Sequence, residues 1–328
     1  MTTVDLTTAQ IAPDFTEGLV QAKQEKEADL LALDNVVGVG LGYKVTDGVV
    51  SNERCIQVFV EHKVDLDLLP TGERIPKTVN RRPTDVVAVG NLFAWNWGTA
   101  AAAPGIQTLT GKRRPAMGGD SIGHFAITAG TAGTGCYDRS VDPGIPPRYY
   151  ILSNNHVLAN SNDANLGDAI YQPGPHDGGG PADQIGALHH YVPIKFDGSD
   201  NLVDAAVAEV PFHDFTREIY YLGYVAGNYA PVVVGDLVKK TGRTTNFTTG
   251  RVISVAATVN VNYGGGKVAK FVNQIITTAM SAGGDSGSLV LDTDNNAVGM
   301  LFAGSSVVTI INNIQFVQAL LNVRLTED

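Results

Sequence analysis

Ser281-Ala282-Gly283-Gly284-Asp285-Ser286-Gly287-Ser288 is the stretch whose residue types alone suggest chemistry. Glycines flank a serine at the entrance to the apolar run Leu289-Val290-Leu291. Glycines ahead of the serine allow a backbone bend whose N–H groups converge on one spot, as an oxyanion hole requires, with Gly284 and Ser286 as the donors. Taken alone, the motif reads equally well as a Gly-rich β-turn.

A serine hydroxyl is a weak nucleophile without a base. Of the histidines His62, His124, His156, His176, His189, His190 and His213, His156 stands out because it ends the apolar run Tyr149–Ser153 through Asn154-Asn155. A side chain at a strand end faces a cleft, whereas His189 and His190 point to opposite faces. The base in turn needs an acid to hold its tautomer and stabilise the imidazolium. Val203-Asp204-Ala205-Ala206-Val207 offers an aspartate among small apolar residues. A carboxylate there is costly to bury unless paired. Asp197 and Asp200 lie in a polar turn and read as solvated. The serine motif is not the Gly-x-Ser-x-Gly elbow of α/β-hydrolases, because Ser288 holds the last glycine's place.

The elements that must position these residues are mostly strands. The chain has 328 residues, 44% hydrophobic and 17% charged, enough for a substantial core. Its 37 glycines are scattered among short Val, Ile and Thr runs, a pattern of turns between strands. Residues 1–16 read as a flexible N-terminus. Residues 17–33 are rich in helix formers and are followed by strand runs at 36–45, 55–61 and 85–89, a small α+β domain over 17–90. Gly38-Val39-Gly40-Leu41-Gly42 lies in the first of these runs, and a hairpin follows it where a dinucleotide fingerprint needs a helix. Residues 91–117, with Trp95 and Trp97, show no period and read as a linker whose tryptophans dock onto a domain. From 118 to 328 the pattern is short strands at 122–128, 148–153, 167–172, 184–190, 203–210, 233–240, 250–261, 271–278, 288–291 and 297–303, with one helix near 313–321. That is a sandwich or a pair of barrels, not βαβ units.

His156, Asp204 and Ser286, in this order, resemble the triad of the chymotrypsin-like (trypsin-like) serine proteases. Lys239-Lys240-Thr241-Gly242-Arg243-Thr244-Thr245 with Thr249-Gly250-Arg251-Val252 resembles a hairpin of their second barrel. Val298–Gly304 resembles the strand that lines their substrate pocket. Ser153-Asn154-Asn155-His156-Val157, Gly167–Gly174 and the strand-rich N-terminal extension are similar to a non-secreted bacterial and plant group. The resemblance covers residues 118–324 and implies a mostly-β, chymotrypsin-like double β-barrel preceded by the small α+β domain. It implies a serine endopeptidase in which His156 is the base, Asp204 orients it and Ser286 attacks, with no metal or organic cofactor. The pocket floor falls six residues before the nucleophile, at Met280, with walls from Phe302, Ala303 and Gly304. None of these is acidic, so a small or medium apolar residue is expected before the scissile bond. The family's usual disulfides and activation sequence are missing, and nothing obvious supplies the amine that would pair with Asp285.

A net charge of −10 without a basic block argues against nucleic acid as a partner. No apolar run reaches the length of a membrane helix. Cys55 and Cys136 read as small buried thiols, and the start resembles no signal peptide, so a cytoplasmic location is expected. The expected partner is a protein or peptide substrate. The 17–90 domain is expected to cover the catalytic face, to mediate homo-oligomer assembly, or only to aid folding. A catalytically quiet protein-binding module on the same fold is the competing function, and a metal scaffold built on His176-Asp177, His189-His190 or His213-Asp214 a weaker one, lacking ligand spacing.

Overall fold

The computed structural model describes residues 12, 14–46, 48–94, 109–139 and 148–327. The tryptophans Trp95 and Trp97 and most of the N-terminal stretch lie outside these residues. The chain forms the expected mostly-β double barrel with a small α+β N-terminal part.

The first barrel is an eight-stranded sheet. Its central strands, Tyr149–Ser153, Ala206–Glu209 and Gln184–Tyr191, are antiparallel neighbours, with Leu152 opposite Val207 and Leu188 opposite Ala208. Alternation of inward side chains puts Ile151, Leu188, Ala206 and Ala208 into one core with Phe215.

The second barrel closes on itself. Leu237–Gly242, Asn246–Asn262, Val268–Thr278, Val308–Asn313, Ala297–Gly304 and Leu289–Leu291 pair in that cyclic order. The Gly264-Gly265-Gly266 turn between the two longest strands has φ of 78°, 59° and 80°, values only glycine adopts freely in succession. Between the barrels, Leu152 and Val207 from one meet Leu289, Met300 and Phe316 from the other.

The N-terminal strands extend the second barrel's sheet. Asn246–Asn262 spends its first part pairing with Leu237–Gly242 and its later part with Val36–Thr46, where Val39 faces Thr258. Val49–Val60 and Arg82–Ala88 continue outward. The helix Glu17–Leu31 lies over them, and Leu19, Val39 and Val58 share one core with Val252, Val290 and Leu301. Gly40 is required by contact: a Cβ there would sit 2.3 Å from Ser254 Oγ. This fits the reading of the early glycines as tight-strand residues.

Most strand expectations for 118–328 meet a strand in the structure. The strands Thr134–Asp138, Phe215–Ile219 and Val308–Asn313 were not anticipated. Their sequences mix glycine, charge or asparagine into short apolar runs, which blurs the two-residue period. Cys55 and Cys136 are buried free thiols, and burial pushes Cys55 up to about 12.

Candidate active site

Each of the three expected residues sits where a regular element ends. The strand Tyr149–Ser153 stops at Asn154, and a single helical turn, Asn155–Leu158, carries His156 into the space between the barrels. Asn154 secures this bend by donating from Nδ2 to the Asp204 carbonyl at 2.7 Å. Asp204 lies just ahead of the strand Ala206–Glu209, in the segment that returns along the same sheet. Its backbone N–H donates to Asn312 Oδ1 at 3.0 Å, and Asn312 donates to Gln274 Oε1 at 2.7 Å, so the second barrel fixes a residue of the first.

His156 and Asp204 form the pair expected of them. Nδ1 lies 2.6 Å from Asp204 Oδ2, and the His156 backbone N–H donates to Oδ1 at 3.1 Å. Tyr263 adds a donor that sequence reading missed: its hydroxyl reaches Asp204 Oδ2 at 2.7 Å. Burial, followed by the Asp204 charge, raises the Tyr263 phenol well above its ordinary pKa, so it stays a neutral donor. The signal available was the position of Tyr263 immediately before the triple-glycine turn, which ends the longest strand beside the first barrel. With Oδ2 bonded to Nδ1, the other ring nitrogen, Nε2, is the one left over.

Ser286 is the second residue of the latter of two successive turns that share Asp285. Asp285 N–H closes on Ala282 O at 3.1 Å and Ser288 N–H on Asp285 O at 3.0 Å. The third position of each turn is a glycine, Gly284 at φ 96° and Gly287 at φ 97°, as a type II turn demands. Gly287 is doubly constrained, since a Cβ there would lie 2.1 Å from Ser153 Oγ. Among the described residues the N–H groups of Gly284 and Ser286 carry no hydrogen bond, whereas those of Asp285, Gly287 and Ser288 all do. Thr131 of the first barrel clamps the loop: its N–H donates to Ser286 O at 2.7 Å and its hydroxyl to Gly284 O at 2.9 Å.

The partner of Asp285 was missing from the sequence reading and is Lys240. Lys240 Nζ lies 3.1 Å from Asp285 Oδ2, and both side chains are fully buried. Asp285 Oδ1 also accepts from the backbone of Thr244 and Thr245, at 2.9 and 3.1 Å, and Oδ2 from that of Ala282 at 3.0 Å. Burial lowers the Lys240 pKa while the Asp285 charge opposes that shift. The Lys-Lys-Thr-Gly-Arg-Thr run contains this residue, and strand alternation turns Lys240 inward and leaves Lys239 at the surface, where it reaches Thr293 O.

His156 Nε2 and Ser286 Oγ are both buried and lack a hydrogen-bond partner among the described residues. His156 and Asp204 are joined directly, and Ser286 and Gly284 are joined through Thr131, whose neighbour Gly130 lies against both Val157 and the Ser286 carbonyl. Met280 belongs to the second-barrel core with Val252 and Leu301, and its sulfur would lie 2.5 Å from a Cβ on Gly250. Phe302, Ala303 and Met280 are buried. Beside Met280, the Ser281 and Thr309 hydroxyls pair at 2.7 Å.

No family model matches the chain. Over 58 residues it is 53% identical to glutamyl endopeptidase 2 of Streptomyces griseus, covering 18% of this chain and 28% of that protein. Over 107 residues it is 34% identical to serine protease 1 of Streptomyces fradiae, 33% of this chain and 24% of that one. The chain thus matches about a quarter of the length of these curated relatives. Among solved structures, Thermobifida fusca protease A aligns at 18% identity and a TM-score of 0.45, over 64% of this chain and 97% of that one. A glutamic acid-specific serine protease described as using a histidine triad in substrate binding aligns at 22% identity and a TM-score of 0.44, over 64% of this chain and 100% of that one. The chain resembles the chymotrypsin-like serine proteases.

Proposed function

We propose that this chain is a serine endopeptidase. The observation that carries the reading is the buried His156–Asp204 pair whose remaining ring nitrogen, like Ser286 Oγ, is left buried and unpartnered. A buried polar atom without a partner costs about 1–3 kcal/mol. On a histidine and a serine, these are the two atoms a proton transfer from hydroxyl to imidazole would use.

His156 Nε2 takes the Ser286 hydroxyl proton as Oγ bonds to the scissile carbonyl carbon. Asp204 keeps the proton of Nδ1 in place and stabilises the imidazolium. The Gly284 and Ser286 N–H groups receive the oxyanion, and the Lys240–Asp285 pair holds the turns that present them. Collapse breaks the C–N bond, and His156 returns the proton to the leaving amine. Water then hydrolyses the acyl-enzyme through the same base. A purely peptide-binding module has no need of this constellation.

No lysine, arginine or histidine occurs among Met280, Ser281, Phe302, Ala303, Gly304 and Thr309. The glutamyl preference in one relative's name is therefore not carried over, and a small or medium apolar residue before the scissile bond is the preference we assign. Fluorophosphonate labelling of Ser286, absent in Ser286→Ala, tests the nucleophile, and a peptide-library digest tests the preference. Unchanged peptide cleavage by Ser286→Ala would overturn the mechanism. A digest dominated by cleavage after Glu, Lys or Arg would overturn the pocket assignment.

A further inference from the structure

We propose that residues 89–94 occupy the edge of the strand Ala297–Gly304 on which a peptide substrate would dock, so that the chain restrains its own active site; this rests on the endopeptidase reading. The edge is identified by what already uses it. One side of Ala297–Gly304 is taken by Val308–Asn313, with Ala303 opposite Ile310 and Gly304 opposite Thr309. The other side pairs with Leu289–Leu291 only as far as Met300. At Leu301 the nucleophile turns take over: Leu301 N–H donates to Ser288 O at 3.0 Å, and Gly287 N–H to Leu301 O at 2.9 Å.

Ala303 and Gly304 are therefore the next backbone groups along that edge from Ser286. A peptide whose carbonyl reaches Ser286 Oγ has this edge beside it, and an extended peptide gains affinity by adding a strand to a free edge. Here the edge is not free. Phe93–Ala94 pairs with it antiparallel, Ala94 opposite Ala303 and Phe93 opposite Gly304. Progress from Phe93 to Ala94 is thus progress toward Leu301 and the nucleophile turns, the direction in which the acyl side of a substrate would run.

The segment is held on both flanks. Asn262 N–H donates to Leu92 O at 2.9 Å, one residue from the Tyr263 that contacts Asp204. Ser305 Oγ donates to Val89 O, and Val89 N–H to Val60 O at 2.8 Å. Val89, Leu92 and Ala94 are buried in one cluster with Tyr263, Phe302 and Ala303. The N-terminal part of the chain therefore reaches the catalytic face through this strand.

An occupied edge has a kinetic signature in the unaltered full-length chain. Lengthening a blocked substrate from one to four residues on the acyl side should change kcat/KM by less than about twofold, because the extra residues find no edge. In Leu92→Ala, which loosens the anchor without touching the triad, the four-residue substrate should gain about tenfold or more while the one-residue ester stays unchanged. A steep gain with length in the unaltered chain would overturn the proposal, whether or not the variant folds. So would an unchanged four-residue rate in a folded Leu92→Ala. Fluorophosphonate labelling of both proteins separates the two layers. Labelling of Ser286 in neither defeats the endopeptidase reading itself. Labelling in both, with rates indifferent to Leu92, leaves that reading standing and removes this proposal.

Discussion

Asp204 and Asp285 are both fully buried and both flank the proposed catalytic groups, yet they are satisfied differently. Asp204 meets the neutral donors Tyr263 OH and the His156 backbone N–H, and the ring of His156. Asp285 meets backbone N–H groups, the Thr245 hydroxyl and the amine of Lys240. A buried charge is expensive unless answered. At Asp285 the answer is built in, which suits a carboxylate whose task is to hold two turns in shape. At Asp204 the answer is an imidazole ring and two neutral donors, which suits a carboxylate that, in the function proposed above, orients a base.

The largest effects should come from breaking the Asp204 side of this comparison. By the precedent of a well-studied serine protease, Ser286→Ala or His156→Ala should each lower kcat by about 10⁶-fold, and the double variant no further. Asp204→Asn should lower it by about 10⁴-fold by turning the imidazole to the wrong tautomer. Steady-state kinetics on a peptide substrate, with circular dichroism to confirm folding, measures this. A kcat within tenfold of the unaltered protein in Asp204→Asn would remove the carboxylate from the mechanism.

The Asp285 side should break as stability. Lys240→Met leaves a charge buried without its cation, a loss of about 3–5 kcal/mol. Lys240→Met combined with Asp285→Asn removes both charges and should recover part of it. Urea unfolding of the single and double variants reports the coupling, and purely additive losses would show that the pair is not one unit.

Tyr263→Phe sharpens the contrast on a smaller scale. It removes one neutral donor from Asp204, a hydrogen bond to a charged group worth about 1.5–3 kcal/mol. The less-satisfied carboxylate should then hold the imidazolium more tightly. In the unaltered protein kcat/KM should rise with pH as the base is freed of its proton. In Tyr263→Phe that rise should move to higher pH. An unmoved profile with unchanged stability would assign Tyr263 to packing alone.

The residues proposed to do chemistry could be singled out because their types are rare in apolar strands: a histidine after Tyr149–Ser153, an aspartate beside Ala205-Ala206, a serine among glycines. The residues that hold them were not. Tyr263, Asn312, Gln274 and Thr131 reach the site from strands far away in sequence, and an ordinary hydroxyl or amide in a strand carries no local mark of its partner. Lys240 was visible as part of a basic run, but its pairing with Asp285 depends on the facing strand Leu289–Leu291, which only the register supplies. The approximate positions of most barrel strands followed from turns and apolar runs. That the N-terminal strands continue the second barrel's sheet did not, because nothing in the Val36–Thr46 run names Ser254–Val259 as its neighbour.

A third buried carboxylate shows what happens when the answer is weak. Asp120 is fully buried, and its Oδ2 accepts from Met117 N–H at 2.9 Å. Among the described residues its Oδ1 has no hydrogen-bond partner, and Arg113 stands off at 3.5 Å. Burial pushes its pKa up to about 6, the backbone bond and Arg113 only partly opposing this. A carboxyl group raised in the folded state binds its proton more tightly there than in the unfolded chain. Its favourable contribution is therefore present below an ordinary aspartate pKa of about 4 and is lost as pH rises through 6. The span corresponds to about 3 kcal/mol at 1.36 kcal/mol per pKa unit. Asp120→Asn keeps an oxygen for Met117 N–H and cannot ionise. Its stability relative to the unaltered protein should therefore climb between pH 4 and pH 7, by at most that amount. Urea midpoints for the two proteins at both pH values give the difference directly. A gap that stays constant would mean that Arg113 compensates Asp120 as fully as Lys240 does Asp285.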